Sequence, residues 1–292
     1  MPGRSNRSAL AALALAGLAI APPARAGEPP PPGGLFDLVG ARALGSSAAT
    51  AGINGSEAIF VNPGAIGVRT GFVAETLAVN ERRGSDTTAR YLGVVVVDGV
   101  SAPVATAFAF LSSTEGDAKG KIFYLGFSGP LSENFHVGVQ GRYLKLGGPE
   151  PIDAITADAG ISWDVSSVVT VGVSGFNLIP TNHPTILPQG MGAGLAIGSD
   201  TFIRVLGDWR GTFLPEGRTA NRYAAGVVGL VGGMVALRAG WVHDDLLSTS
   251  WWSGGVGIVS PDGYALDFGY KQSIEASSAR ELALSFRYYP PQ

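Results

Sequence analysis

Short segments in which apolar and polar residues alternate run through this sequence from about residue 70 to its end. In one of them, Tyr264, Leu266 and Phe268 share one face, while Asp267 and Lys271 share the other. A period of two with one apolar face predicts a β-strand, because helical spacing would spread the charged residues over all faces. The same alternation recurs in segments 135–143, 203–210 and 281–288.

The composition favours a membrane protein that crosses the bilayer with strands. The chain is 46% hydrophobic and 15% charged, whereas a soluble domain carries about 25% charged residues. Beyond the N-terminus, no run of about 18 apolar residues offers a transmembrane helix. An apolar average without an apolar run is typical of a membrane β-barrel, because lipid-facing and lumen-facing residues alternate along each strand.

Turn signals divide the chain into about fourteen strands whose connections alternate in length. Many of these strands have about ten residues, the length that crosses a bilayer at a tilt. The fold class predicted is therefore all-β, a transmembrane antiparallel β-barrel of about 14 strands with an N-terminal plug segment. Short turns are expected on the periplasmic side and longer loops outside, which places both termini in the periplasm. The predicted strands are 70–80, 89–98, 102–113, 121–130, 134–146, 154–164, 168–178, 189–198, 201–213, 220–231, 234–243, 249–259, 264–273 and 279–289.

The first 26 residues have the features of a secretory signal peptide. Arg4 and Arg7 form a basic start, an apolar run covers 9–21, and Ala24-Arg25-Ala26 is a small-residue cleavage site. Secretion together with a membrane barrel indicates the outer membrane of a Gram-negative bacterium. The predicted regions are a signal peptide (1–26), a Pro/Gly-rich leader (27–34), a plug or hatch segment (35–69) and the outer-membrane β-barrel (70–292).

Several classes of function are disfavoured by the residues present. A net charge of −3 argues against nucleic-acid binding. The absence of cysteine excludes disulfides, thiol catalysis, cysteine-bound zinc and a lipid anchor on cysteine. The best cluster for catalysis is His243-Asp244-Asp245, but the sequence shows no evident nucleophile near it. We therefore expect no enzymatic activity, no cofactor and no metal site.

Charged and polar residues fall on the face of the strands opposite the apolar residues, and are predicted to line the lumen. Both signs are interspersed, so a general porin and a salt-bridged interior that holds a plug would each show this pattern. Facing lipid at mid-depth, an Arg or Lys would cost about 2–4 kcal/mol. The predicted lumen-lining residues are His136, Arg142, Asp158, Arg204, Asp208, Arg210, Arg238, Asp267, Lys271, Glu281 and Arg287.

The segment before the first strand resembles the opening of a known family. It begins Gly40-Ala41-Arg42, continues with small residues, and reaches an element that ends in Asn62-Pro63-Gly64. This pattern resembles the FadL-like outer-membrane transport superfamily, including its shorter PorV/PorQ-like members. The resemblance implies that the segment folds into the barrel as a plug or hatch, with Asn62, Pro63 and Gly64 at its turn. Gly64 stands where the family usually has Ala, and Asn-Pro-Gly is in itself a strong turn signal.

The resemblance implies a passive conduit for small hydrophobic compounds. The alternative is a PorV-like structural partner in outer-membrane protein secretion or assembly, which transports nothing. A plain water-filled porin and a soluble periplasmic β-protein are further readings. The expected partners are outer-membrane lipid and lipopolysaccharide, a hydrophobic small-molecule ligand and, under the alternative, a secretion-complex protein.

Overall fold

Fourteen antiparallel strands close into a β-barrel in the computed structural model of this chain. The structure describes residues 40–68, 71–83, 87–115, 118–147, 151–184 and 186–290. Each strand pairs with its neighbours in sequence, and β1 pairs with β14, so that the sheet has no edge. The predicted all-β barrel of fourteen strands is confirmed. The predicted signal peptide and leader lie outside the described residues.

The strands agree in position with those expected from the alternation, and the largest differences are at hairpin ends. Their bounds are β1 Phe72–Arg83, β2 Thr87–Asp98, β3 Ala105–Glu115, β4 Ala118–Ser132, β5 Phe135–Leu146, β6 Ile152–Ser166, β7 Val169–Phe176, β8 Gly190–Gly198, β9 Ile203–Phe213, β10 Thr219–Val231, β11 Val235–Asp244, β12 Thr249–Val259, β13 Tyr264–Ser273 and β14 Arg280–Tyr288.

The two ends of the barrel differ in their connections. The turns after β2, β4, β6, β8, β10 and β12 form one end, here named the short-turn end. The connections after β5, β7, β9, β11 and β13 lie at the opposite, long-loop end. Ala74 near the start of β1 pairs with Tyr288 at the end of β14. The barrel therefore begins and ends at the short-turn end.

The outer surface of the barrel is apolar because alternate residues of each strand point outward. In β13, Leu266 and Phe268 are 46% and 37% exposed, while Asp267 between them is fully buried. Phe108, Leu125, Val139, Leu195 and Leu284 continue the exposed apolar surface around the barrel. Soluble monomers rarely expose a contiguous apolar patch of more than a few hundred Å², so this surface is suited to contact with lipid.

Residues 40–68, named here the inner segment, lie inside the barrel. They contain helix α1 (Ala41–Ser46) and two 3₁₀ helices, Gly55–Phe60 and Pro63–Ala65. Helix α1 packs against β10–β14, and the second 3₁₀ helix packs against β4–β7. No helix in the described part of the chain is both long enough and apolar enough to span a membrane.

The inner segment is folded upon itself by one buried carboxylate. Glu57 accepts hydrogen bonds from the backbone N–H groups of Arg42 and Ala43, at 3.1 and 3.0 Å. These are N–H groups of the first turn of α1, which have no partner within the helix and which favour a negative charge. Glu57 therefore ties the start of the inner segment to its middle.

Candidate functional site

One part of the inner wall is almost entirely apolar. This apolar wall is the inward face of β2, β3 and β4, where Val95, Leu111 and Ile122 are at most 1% exposed. Ile59 and Ile66 of the inner segment are fully buried in the same cluster. Side chains of the inner segment therefore fill the space in front of the apolar wall.

The aromatic contact between the inner segment and β4 belongs to the same packing. The ring of Phe60 meets the ring of Tyr124 edge-on, with centroids 5.3 Å apart. Leu187, from the connection between β7 and β8, also reaches the cluster and is 2% exposed. The interior on this side is thus built from apolar groups of the barrel wall, the inner segment and one long-loop connection.

A second part of the inner wall carries buried ion pairs. This charged wall is the inward face of β11–β14. Asp267 is fully buried, with Arg238 Nη2 at 2.8 Å from Oδ1 and the Arg287 guanidinium at Oδ2. Lys271 Nζ lies 2.9 Å from Glu281 Oε2. Buried charges are stable only when they are paired, because desolvation of a lone ion costs several kcal/mol.

The structure places the other predicted lumen residues on the inward face as well. Arg142 is buried on β5, donates to Asn177 Oδ1 and lies 3.6 Å from Asp158 Oδ1 on β6. His136 is buried on the same strand. Arg142 and Asp158 meet Asn177 in the connection between β7 and β8 rather than the charged wall, so the predicted residues form more than one group.

Three predicted residues on β9 have separate surroundings. Arg204 pairs with Asp200 at 2.6 Å near the short-turn end. Asp208 accepts two backbone hydrogen bonds from the inner segment, and the Arg210 guanidinium lies over the ring of Phe176 at 4.1 Å. Asp208 therefore contacts the inner segment directly by hydrogen bonds.

Four cross-strand pairs of glycines bring the inner segment into backbone contact with the wall. At each pair, a methyl group added to the glycines would collide with or press against the inner segment. Pro63 O occupies the space at Gly138, and Ser46 O occupies the space at both Gly226 and Gly240. A close backbone approach of this kind requires the absence of a Cβ atom. The four pairs are Gly138 with Gly160, Gly172 with Gly194, Gly226 with Gly240 and Gly255 with Gly269.

These glycines were not predicted from the sequence. The signal for them is an inward-facing glycine on each of two neighbouring strands at the same register. That signal appears only when the cross-strand pairing is known, because one strand alone gives no register.

The turn at Asn62 joins three parts of the interior. Asn62 is fully buried, its Oδ1 accepts from Gly64 N at 3.1 Å, and it precedes the 3₁₀ helix that starts at Pro63. Its Nδ2 donates to Thr50 O and to Ile161 O of β6, both at 2.9 Å. The side chain therefore links two stretches of the inner segment to the barrel wall.

Two cavities lie on opposite sides of the inner segment. The short-turn cavity has a volume of about 540 Å³ and is lined by Ala51, Ile53, Asp164 and Arg204, among others. The long-loop pocket is smaller, about 60 Å³, and is lined by Ala49, Thr50, Asp208 and Arg210, among others. Residues of the inner segment line both cavities.

In the structure, Ser250 lies beside the predicted cluster at His243. Ser250 Oγ lies 2.9 Å from His243 Nδ1, and Asp245 Oδ1 lies 3.3 Å from His243 Nε2. The Ser250 backbone N–H donates to Glu275 Oε2 and is therefore not available to stabilise an oxyanion. We interpret the cluster as a set of polar contacts that stabilises the β11–β12 hairpin. Among the described residues, no group of three or more His, Asp or Glu side chains could hold a metal ion.

Comparison with known proteins shows similarity in structure but not in sequence. No protein-family profile matches this sequence, and no curated protein matches it. The monoaromatic hydrocarbon channel CymD matches with a TM-score of 0.67 and 13% identity, over 89% of this chain and 99% of CymD. The chain has the fold of FadL-like channels.

Two further structures have the same FadL-like fold. The toluene transporter TbuX of Ralstonia pickettii matches with a TM-score of 0.63 and 11% identity, over 88% of this chain and all of TbuX. A FadL homologue of Pseudomonas aeruginosa matches with a TM-score of 0.61 and 11% identity, over 86% of this chain and 98% of the homologue. CymD is named as a channel and TbuX as a transporter, and neither is named as an enzyme.

Proposed function

We propose that this chain is an outer-membrane conduit that lets small hydrophobic compounds cross passively. The observation that carries the proposal is the likeness of the whole barrel, including its inner segment, to hydrocarbon channels. The apolar wall supports it, since β2–β4 present Val95, Leu111 and Ile122 to the interior. A water-filled porin has no need of such a surface, because its interior is polar.

The location in the outer membrane is supported by the apolar outer surface and by the closed sheet. In hydrocarbon, every backbone polar group must be paired within the protein, and a closed barrel achieves this. We place the short-turn end, where β1 begins and β14 ends, in the periplasm. The longer connections then face outward, as in other barrels of this kind.

The inner segment has the proposed role of a plug. Its contacts with the barrel are of three kinds: apolar packing by Ile59 and Ile66, backbone contact at the glycine pairs, and hydrogen bonds to Asp208 and from Asn62. We propose that the turn Asn62-Pro63-Gly64 anchors the plug and that the buried charges line the lumen around it. The structural matches lend no support to the alternative of a secretion partner.

Mass spectrometry after mild purification from native outer membranes tests this proposal. We expect the protein in the outer-membrane fraction, with an apolar small molecule bound and no stoichiometric protein partner. A barrel without such a ligand but with a stoichiometric partner would contradict the conduit. Absence from the outer-membrane fraction would contradict the location as well.

A further inference from the structure

Two lysines stand directly opposite each other on the outer surface of the barrel, near its long-loop end. Lys121 near the start of β4 and Lys145 near the end of β5 are cross-strand partners, and both are exposed. The Cβ atoms of such a pair are about 5 Å apart, and like charges at that separation are destabilising. A single lysine at this level needs no ligand, because its stem extends the ammonium group into water. A facing pair, in contrast, repels itself unless an anion lies between the two ammonium groups.

Two further cations are exposed beside this pair. Lys119 precedes Lys121 by two residues on the same face of β4, about 7 Å away along the strand. Lys119 is paired with Thr114 of β3, and Thr114 with Arg90 of β2. Arg90 therefore lies at the level of Lys119, about 10 Å away across the sheet. The four residues Arg90, Lys119, Lys121 and Lys145 are named here the cationic patch.

The protein itself does not neutralise the cationic patch. Within the described part of the chain, no carboxylate forms an ion pair with any of its four side chains. Asp153 of β6 is the cross-strand partner of Lys145 and is exposed on the same outer face. Four cations and this one acid leave a net charge of +3, which suits an anionic ligand.

Aromatic side chains lie next to the cationic patch on the side toward the middle of the barrel. Phe123 and Tyr143 are the adjacent outward residues to Lys121 and Lys145, and they are also cross-strand partners. The ring centroids of Phe110 and Phe123 are 5.0 Å apart, and those of Phe123 and Tyr143 are 6.2 Å apart. Aromatic residues of a membrane protein are enriched at the boundary between hydrocarbon and headgroups. The cationic patch therefore lies at the level of the headgroups, with an apolar surface beside it.

The opposite side of the barrel has the aromatic residues without the cations. On each of β10 to β13, an outward aromatic residue is followed toward the long-loop end by an outward polar residue. None of these four polar residues is lysine or arginine, so the cationic patch is a local feature of β2–β5. The pairs are Tyr223 with Asn221, Trp241 with His243, Trp252 with Ser250 and Tyr270 with Gln272.

We propose that the cationic patch binds the phosphate groups of lipopolysaccharide. The phosphates lie on the lysines, and the acyl chains of the same molecule pack on Phe110, Phe123 and Tyr143. Each ammonium group has three N–H donors and binds phosphate as a point charge. With the long-loop end outside, the cationic patch faces the outer leaflet, in which this glycolipid resides. The inference rests on the proposed location and orientation, but it does not require that any compound be transported.

Native mass spectrometry of the purified barrel tests the proposal, with lipopolysaccharide that lacks its O-polysaccharide as the titrant. We expect Lys121→Gln/Lys145→Gln to raise the Kd about thirtyfold, which corresponds to about 2 kcal/mol for two cations. Both side chains point away from the interior, so the substitutions leave the packing of the inner segment intact. Lys121→Arg/Lys145→Arg keeps both charges and should bind with the affinity of the wild type.

The matched control removes two exposed cations elsewhere at the same end of the barrel. Arg218→Gln/Arg280→Gln changes the net charge by the same amount as the test variant. Arg280 lies on β14, four strands from Lys121 and about 19 Å away along the sheet. Exposed charges at that distance are largely screened at about 0.15 M salt. The Kd of the control should therefore stay within about twofold of the wild-type value.

Three changes of the ligand or the medium identify the part of the lipid that is bound. Lipopolysaccharide treated with a phosphatase should bind the wild type about as weakly as the intact lipid binds Lys121→Gln/Lys145→Gln. Phosphatidylglycerol, which has one phosphate, should bind the wild type at least about tenfold more weakly than lipopolysaccharide. A chelator of divalent cations should leave the binding of lipopolysaccharide unchanged, because the lysines contact phosphate without a bridging ion.

The possible outcomes separate this inference from the proposed function. Equal affinity of the wild type and Lys121→Gln/Lys145→Gln for lipopolysaccharide would overturn the site. Equal binding of phosphatidylglycerol would overturn the choice of ligand, and loss of binding on chelation would overturn the direct contact. A barrel that binds lipopolysaccharide at the cationic patch but transports no hydrocarbon would contradict the proposed function alone. A barrel that transports hydrocarbon but does not bind this lipid would contradict the inference alone.

Discussion

The apolar wall and the charged wall hold the same inner segment in different ways. Against β2–β4, the segment is held by side chains such as Ile59 and Ile66, which pack on other side chains. Against β11–β13, its backbone touches the wall directly, with Ser46 O at Gly240 and Gly45 beside Gly255. Around these backbone contacts lie the ion pairs of Asp267.

This difference indicates which part of the interior can accept substitutions without loss of the fold. Side-chain packing tolerates substitutions of similar volume, because neighbouring groups can shift to fill small gaps. A backbone carbonyl that touches a glycine cannot shift in this way to make room for a side chain. Removing the partner of a buried ion is strongly destabilising. We therefore expect the charged wall to be much less tolerant of substitution than the apolar wall, and three measurements of stability test that contrast.

The largest effect is expected from Asp267→Ala. Removal of the carboxylate leaves Arg238 and Arg287 without the partner that they share, and breaking a buried pair costs about 3–5 kcal/mol. Urea unfolding of the barrel in lipid vesicles, followed by tryptophan fluorescence, measures the change in free energy. Asp262→Ala in an exposed turn is the control, with an expected change within about 0.5 kcal/mol. Equal stability of both variants would show that the ion pairs of the charged wall do not stabilise the barrel.

The second effect is expected from Gly240→Ala. The added methyl group would overlap Ser46 O, and overpacking of this kind costs about 1–3 kcal/mol. The matched control is Gly141→Ala, because a Cβ atom at Gly141 would meet nothing within 4 Å. Urea unfolding should give a lower free energy of unfolding for Gly240→Ala than for the wild type. For Gly141→Ala, that free energy should be unchanged or slightly higher. If both behave alike, the inner segment does not touch the wall at Gly240.

A smaller effect is expected from Ile66→Val, where the inner segment packs against the apolar wall. Ile66 is fully buried, and the loss of one methyl group from such a site costs about 0.5–1.5 kcal/mol. The same unfolding assay measures this change. A loss as large as that of Asp267→Ala would remove the contrast between the two walls.

The smallest effect is a dependence on pH at the long-loop end. Burial acts to raise the pKa of Glu275, but hydrogen bonds from Thr249 Oγ1 and Ser250 N outweigh it and hold the pKa below its ordinary value of 4.5. The stabilisation by Glu275 is therefore complete above pH 4.5 and is lost as the pH falls through the lower folded value.

Unfolding of the wild type and of Glu275→Gln between pH 3 and pH 6 isolates this contribution. We expect the wild type to be more stable by about 0.5 kcal/mol or less at pH 6, because the group is largely solvated. The difference should vanish at the acidic end. A difference that stays constant over this range would contradict the expected role of the carboxylate.

Alternation alone predicted the strands well where one face of a strand is apolar and the other polar. Phe268 and Asp267 illustrate this, since they lie on opposite faces of β13. The segment Val94–Val97 shows no alternation, because both faces of β2 are apolar there. Val94 is exposed on the outer surface, whereas Val95 and Val97 are buried and belong to the apolar wall. The apolar wall was therefore not predicted from the sequence.

The details of the interior could not be predicted because they depend on contacts between distant residues. The capping of α1 by Glu57 joins positions fourteen and fifteen residues apart. The contact of Asp208 with Thr50 spans 158 residues. Such contacts follow from the register of the closed barrel and from the path of the inner segment, neither of which local patterns determine.

The central claim is that the barrel admits small hydrophobic compounds while its inner segment excludes hydrophilic ones. Uptake of radiolabelled toluene by cells with an intact lipopolysaccharide layer, beside entry of a small neutral sugar, tests it most directly. We expect expression of the protein to raise the initial rate of toluene uptake several-fold and to leave sugar entry unchanged. Unchanged toluene uptake, or sugar entry that rises as much as toluene uptake, would contradict it.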